Sequence, residues 1–138
     1  MTSQLHRLVY VSKAVEGSDV DLWTLTSILY AAQRNNRQNG ISGLLLAHDG
    51  YFCQVLEGSR TAVDGLMAIL AEDPRHTDLT VLCDQPLSER EFESWSMAQA
   101  VVTPELHRDL SGLEWPSLGG EHALGVLRRA GQSMLAAL

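Results

Sequence analysis

The chain lacks any metal-ligand pattern: its five histidines (His6, His48, His76, His107 and His122) show no HxxxH spacing, and its two cysteines, Cys53 and Cys83, form no CxxC pair. Metal catalysis and a disulfide framework are therefore not expected. A spanning apolar run and a signal-like N-terminus are also missing, which makes the cytoplasm the expected location and leaves no membrane partner. Basic residues are scarce: the formal charge is −7, spread without a long acidic block, so the surface should repel nucleic acid and anionic membrane. There is no internal repeat or low-complexity segment. At Gly40-Ile41-Ser42 a GxSxG nucleophile elbow is incomplete, and a serine within a hairpin strand lacks the sharp strand-to-helix turn that such an elbow requires. Gly40-Ile41-Ser42-Gly43 has the form of an RNA-clamping GxxG, but the chain is acidic and its strands lack a basic-aromatic platform.

What is present is an ordinary globular composition, 45% hydrophobic and 20% charged over 138 residues, enough for one domain with a proper core and a short appendage. Leu5 to Ser12 alternates and reads as a strand, with His6, Leu8, Tyr10 and Ser12 on one face and Leu5, Arg7, Val9 and Val11 on the other. From Val20 the period becomes helical, and Leu22, Leu25, Ile28, Leu29 and Ala32 form a stripe that continues to Asn36 just before Asn39-Gly40 ends the helix. Ile41 to Ala47 and Tyr51 to Leu56 are apolar strands joined at His48-Asp49-Gly50, where Asp-Gly signals a tight hairpin. Ser59 caps a second helix with Val63, Leu66, Met67 and Leu70 at i, i+3, i+4 and i+7, and Asp73-Pro74 stops it. Leu79 to Cys83 reads as a fourth strand, Pro86 to Glu93 as a polar connection, and Ser94 to Val102 as a fifth strand with Trp95, Met97 and Gln99 on one face.

The order β-α-β-β-α-β-β predicts an α+β, ferredoxin-like domain over residues 1–102: a five-stranded mixed sheet with two helices on one face. Residues 103–138 form a C-terminal extension, loop-rich to Gly120 and then helical from about Glu121 to Leu138 with a stripe of Leu124, Leu127, Met134 and Leu138. That stripe has two roles open to it: covering the outer sheet face within one chain, or facing another subunit.

One residue stands out against this apolar background. Gln54 shares a strand face with Phe52 and Leu56, and burying its amide without hydrogen-bond partners would cost about 1–3 kcal/mol. Tyr10 is a candidate partner on the same sheet face. A slot between the two predicted helices, with Tyr10, Gln54 and Asn36 aimed into it and aliphatic walls such as Ile28 and Leu70, would suit a flat polar heterocycle. On residue types and spacing alone an alternative stands beside this, in which Tyr10 and Gln54 satisfy each other inside a core and Asn36 caps its helix.

Six blocks, in order and in register from Leu5 to about Val101, resemble the BLUF family of blue-light sensors that use FAD: Leu8-Val9-Tyr10-Val11-Ser12, Asn35-Asn36, Gly40 to Leu46, Phe52-Cys53-Gln54-Val55-Leu56-Glu57-Gly58, Asp73-Pro74-Arg75-His76 and Trp95-Ser96-Met97. The resemblance implies a non-covalently bound FAD, with FMN as the alternative flavin. In that light Tyr10 is the photochemical electron and proton donor, Gln54 the amide between its hydroxyl and the flavin, and Trp95 and Met97 the residues that report the light state. It further implies that Asn36 bonds the flavin carbonyl side, that Ile28, Leu45 and Leu70 contact the ring, and that Asn35, Asp73, Arg75 and His76 serve its rim and phosphates. Ile69 stands where some relatives carry a basic residue, a departure away from Tyr10, Gln54 and Asn36.

The expected function is thus a photoreceptor without catalytic turnover, passing its output to an unidentified downstream signalling protein or through a homodimer or higher homo-oligomer. A flavin-dependent enzyme and a cofactor-free interaction module are the rival readings. No acid-base constellation supports the enzyme.

Overall fold

The structure is a computed structural model and describes residues 5–14, 40–72, 76–92, 98–99 and 103–136. The expected first helix with Ile28, Asn35 and Asn36, the turn residues Asp73 and Arg75, and the pair Trp95 and Met97 lie outside the described residues.

Among the described residues the elements follow one another as β1 (Leu5–Ala14), β2 (Ser42–His48), β3 (Tyr51–Ser59), α1 (Arg60–Ala71), β4 (His76–Leu87), β5 (Ala98–Gln99), α2 (Pro104–Leu110) and α3 (Gly120–Ala136). Asp49 and Gly50 take φ of 49° and 81°, the two positive values that a two-residue hairpin needs, and they close β2 onto β3 at the pair His48↔Tyr51. The sheet order is β4-β1-β3-β2-β5. Its first four strands are antiparallel, and the two residues of β5 lie parallel to β2. The fold is therefore α+β, built on a four-stranded antiparallel sheet with helices.

Ser59 caps α1 as its sequence predicts, its hydroxyl accepting from the Ala62 N–H at 3.2 Å. The stripe of α1 then packs onto one sheet face: Val63, Leu66, Met67 and Leu70 meet Leu8, Tyr10, Leu45, Phe52 and Leu56. On the other face Val9, Val11, Leu44, Leu46, Cys53 and Val55 are covered by the C-terminal extension, through Leu106, Leu110, Trp115, Ala123, Leu124 and Leu127 among others. The extension and the sheet share one core.

Two expectations are corrected. The fourth strand is longer than Leu79 to Cys83, running from His76 to Leu87 and taking in Pro86, because it pairs along the whole of β1 from Leu5↔Leu87 to Ala14↔His76. As an edge strand it tolerates a proline and exposed polar residues that hide its pattern. The segment from Thr103 to Gly120 is not merely loop: Thr103 Oγ1 caps α2 by accepting from the Leu106 N–H at 3.1 Å, and a 3-10 turn follows over Trp115–Ser117. Only Leu106 and Leu110 of α2 are buried, too few for a period to show, although Thr103-Pro104 is a recognisable helix start.

The helix α3 begins against β4. A Cβ at Gly120 would run into the Leu82 carbonyl, so glycine is what lets the two backbones approach. Leu127 in this helix is fully buried, and Leu127→Ala is expected to cost about 2–5 kcal/mol of stability in a urea titration. A loss below 1 kcal/mol would mean that the extension is not part of the core.

Candidate functional site

Three strands bring a row of residues together. Tyr10 on β1 is the direct partner of Gln54 on β3, and Gln54 is the direct partner of Leu45 on β2, so the three lie side by side on the face that α1 covers. The row continues in the backbone register to Val81 of β4 at one end and Gln99 of β5 at the other. Beside Tyr10 the β1–β4 ladder slips register between Val9 and Tyr10 and again between Val11 and Lys13, local irregularities of the kind that re-aim side chains next to functional sites.

Tyr10 and Gln54 are 2% and 3% exposed, and the Tyr10 hydroxyl donates to Gln54 Oε1 at 2.5 Å. The hydroxyl therefore fixes which way the amide faces, with its oxygen toward Tyr10 and its N–H donors at the opposite end. Around the pair stand Leu8, Leu45, Phe52 and Leu56 from the sheet and Leu66, Met67 and Leu70 from α1. The low-dielectric setting strengthens the bond and makes its loss costly.

His76, at the start of β4, frames the same pair. Its ring stands edge-on to both Tyr10 and Phe52, with centroids 6.3 Å apart in each case. Nε2 lies 2.5 Å from the Leu70 carbonyl and Nδ1 lies 2.7 Å from Ser12 Oγ. A carbonyl only accepts, so Nε2 carries the proton, and in the neutral ring Nδ1 accepts from the Ser12 hydroxyl. His76 thereby ties the end of α1 to β1. Ile69, the departing position on α1, is 64% exposed.

A second polar pair spans the same two strands and was not singled out from the sequence. Arg7 and Glu57 are direct partners in the β1–β3 ladder, three residues from Tyr10 and Gln54 and so on the opposite face. Glu57 is fully buried and Arg7 is 5% exposed. The sequence signal was a charge of each sign at inward positions of two otherwise apolar strands. Beyond them, Arg128 of α3 holds Glu91, and this hydrogen bond, opposed by partial burial and assisted by the charges of Arg128 and Arg7, keeps the Glu91 carboxyl below its usual range. The Arg128 guanidinium is raised in return, chiefly by the same bond.

A histidine pair also joins the hairpin to the extension: His48 Nε2 and His107 Nδ1 lie 3.0 Å apart, with Trp115 alongside. Cys53, expected to act as a small hydrophobe facing away from Gln54, is buried in the core under the extension, and that burial pushes its thiol up to about 12. Among the described residues no cluster of histidine, cysteine and carboxylate side chains could hold a metal ion, and no helix is long and apolar enough to cross a membrane.

Residues 5–98 match the family described as BLUF, sensors of blue-light using FAD. The chain is 39% identical over 97 residues, 70% of its length, to the photoactivated adenylate cyclase subunit beta of Euglena gracilis, and 36% identical over 100 residues to the subunit alpha. It spans only 10% and 11% of the length of those two relatives, alpha and beta. Among solved structures it resembles BlsA in its photo-activated state, with a TM-score of 0.81 and 27% identity over 91% of this chain and 94% of that one. It also resembles BlrB, a BLUF protein in its dark state, with a TM-score of 0.77 and 28% identity over 97% of this chain and 99% of that one. By the extent of the family match and by identity to its relatives, this chain belongs to the BLUF family of blue-light sensors that use FAD.

Proposed function

We propose that the chain is a blue-light photoreceptor in which FAD binds non-covalently against the Tyr10–Gln54 face and in which Tyr10 and Gln54 perform the light response. The observation that carries this reading is the buried Tyr10–Gln54 hydrogen bond, 2.5 Å long on an apolar face. The residues present fit a flavin: an oriented amide presents N–H donors to a ring carbonyl or nitrogen, and aliphatic side chains such as Leu45 and Leu70 suit a flat ring. When bound, the flavin would supply blue-light absorption and an acceptor for one electron and one proton.

The protein's own part is proton and hydrogen-bond chemistry. Tyr10 transiently gives up an electron and its hydroxyl proton, the hydrogen bond to Gln54 being the proton's way out. While that hydroxyl is unprotonated it can only accept, so the Gln54 amide rearranges and presents its N–H where its oxygen had been. Return of the electron and proton to Tyr10 leaves the rearranged amide as the memory of the light. An exchanged donor and acceptor changes the bonds available to the neighbouring strand and biases any two-state element there.

The remaining roles belong to the same proposal. Asn36 bonds the flavin carbonyl side, Ile28 and Leu70 wall the ring, and Asn35, Asp73 and Arg75 hold its rim and phosphates. His76, its nitrogens engaged by Ser12 and Leu70, contributes a ring edge to that rim. Trp95 and Met97 register the light state from the fifth strand. The whole domain has the ferredoxin-like βαββαββ order with two helices on one face. In support, β1 and β2 run the same way on either side of β3, as do β3 and β4 on either side of β1. The protein acts in the cytoplasm as a homodimer or higher homo-oligomer and passes its signal to a downstream protein, without catalytic turnover in this domain.

Protein purified after growth with ample riboflavin is expected to be yellow, with about one FAD per chain released on denaturation and identified by chromatography. Release of FMN would replace FAD by the alternative flavin. A colourless protein that takes up neither flavin would leave a cofactor-free interaction module, and reduction of the bound flavin by an added substrate would make it an enzyme.

A further inference from the structure

Four charged side chains, Arg7, Glu57, Glu91 and Arg128, lead from the strands of Tyr10 and Gln54 to the C-terminal helix. Tyr10↔Gln54 and Arg7↔Glu57 are both directly opposed pairs of one ladder, so a displacement of β1 against β3 at the first pair is felt at the second. The Glu57 carboxylate is fully engaged. Its Oε2 accepts from Arg7 Nε at 3.1 Å and Nη2 at 2.9 Å, and its Oε1 accepts from the backbone N–H groups of Glu91 and Phe92, both at 2.8 Å.

Residues 90–92 are thus tied to the sheet through side chains. Arg90 adds bonds from Nη1 to Ser42 Oγ and the Glu57 carbonyl, each 2.9 Å, and from Nη2 to the Gly40 carbonyl at 2.5 Å. The outer end of the chain of charges is Glu91. Its Oε1 accepts from Arg7 Nη2 at 2.8 Å and Arg128 Nη2 at 3.0 Å, and its Oε2 accepts from Arg128 Nε at 2.5 Å.

The two ends differ in exposure. Side chains of Arg7 and Glu57 are 6% and 0% exposed, whereas those of Glu91 and Arg128 are 36% and 39% exposed. A buried pair held by several hydrogen bonds is rigid, and a half-exposed pair exchanges its bonds with water at little cost. Residues 90–92 lead directly into residues 93–97, which carry Trp95 and Met97. We propose that Glu57 and Arg7 anchor this connection and that the Glu91–Arg128 contact is the latch that opens when the connection shifts, releasing α3 as the output of the light response. The latch rests on the light-sensing reading given above, and all four are positioning residues that act without touching the flavin.

The test compares full-length, flavin-loaded wild type with Arg128→Gln and Arg128→Lys, reading the flavin spectrum and amide hydrogen exchange in α3, each in the dark and under blue light. Wild type is expected to exchange several-fold faster in α3 when lit. Arg128→Gln should keep the wild-type spectral shift but exchange in the dark as fast as lit wild type, with no further change in light. Arg128→Lys, which keeps the charge but not the two-pronged bond, should fall between. A spectral shift in wild type without any light-dependent exchange in α3, or Arg128→Gln responding in α3 as wild type does, would overturn the latch while leaving the light sensor standing. Flavin-loaded wild type without a spectral shift would overturn both.

Discussion

Gln54→Leu is expected to yield a folded protein that still binds flavin but shows no reversible light-induced red shift. Leucine fills nearly the volume of glutamine and suits a face made of Leu8, Leu45, Phe52 and Leu56, so packing survives. What disappears is the group that accepts from Tyr10 at one atom and donates at another. Gln54→Glu should fail as well, because an ionised carboxylate has no donor to exchange. Tyr10→Phe removes the hydroxyl with little change in volume and should abolish the shift from the other side of the bond. In Gln54→Leu the Tyr10 hydroxyl loses a buried acceptor, so about 1–3 kcal/mol of stability should be lost with the photochemistry. Light-minus-dark spectra of the three variants read the outcome, and a wild-type red shift in any of them would reject the assigned roles.

The largest effect on stability is expected at Glu57. Removing this carboxylate by Glu57→Ala leaves the Arg7 guanidinium buried with only its bond to Glu91 among those described, and leaves the N–H groups of Glu91 and Phe92 without the Glu57 acceptor. Breaking one half of a buried ion pair typically costs about 3–5 kcal/mol. A protein of this size has total stability of roughly 5–15 kcal/mol, so Glu57→Ala should be marginal at physiological temperature. The double variant Arg7→Met with Glu57→Leu removes both charges and should recover part of the loss, though not the two backbone bonds. Urea titrations of the single and double variants test this. A Glu57→Ala protein within 1 kcal/mol of wild type would show the pair to be solvated rather than buried.

Local signals in the sequence were enough for the features that depend on neighbours along the chain. Asp49-Gly50 announced the hairpin because its two positive φ values belong to those residue types, and Ser59 announced α1 because a hydroxyl can satisfy the first helical N–H groups. Period two separated the face of Tyr10 and Gln54 from that of Cys53 and Val55, since alternation is a property of the strand itself.

What stayed hidden depends on residues far apart. The length of β4 is set by β1, more than sixty residues earlier, and its own exposed edge carries no alternating pattern. Arg7 and Glu57 are fifty residues apart, and only the β1–β3 register makes one the partner of the other. The stripe of α3 was legible as apolar, but nothing in it says which surface it meets. The structure places Leu124 and Leu127 on the sheet face within the same chain.

One spectrum decides the main issue. Full-length protein carrying its flavin is recorded in the dark, under blue light, and again after return to darkness. The Tyr10–Gln54 reading predicts that the flavin absorption shifts to the red without bleaching and returns in the dark. A flavin band that stays where it was under saturating blue light, in protein whose Tyr10 and Gln54 are intact, would contradict it.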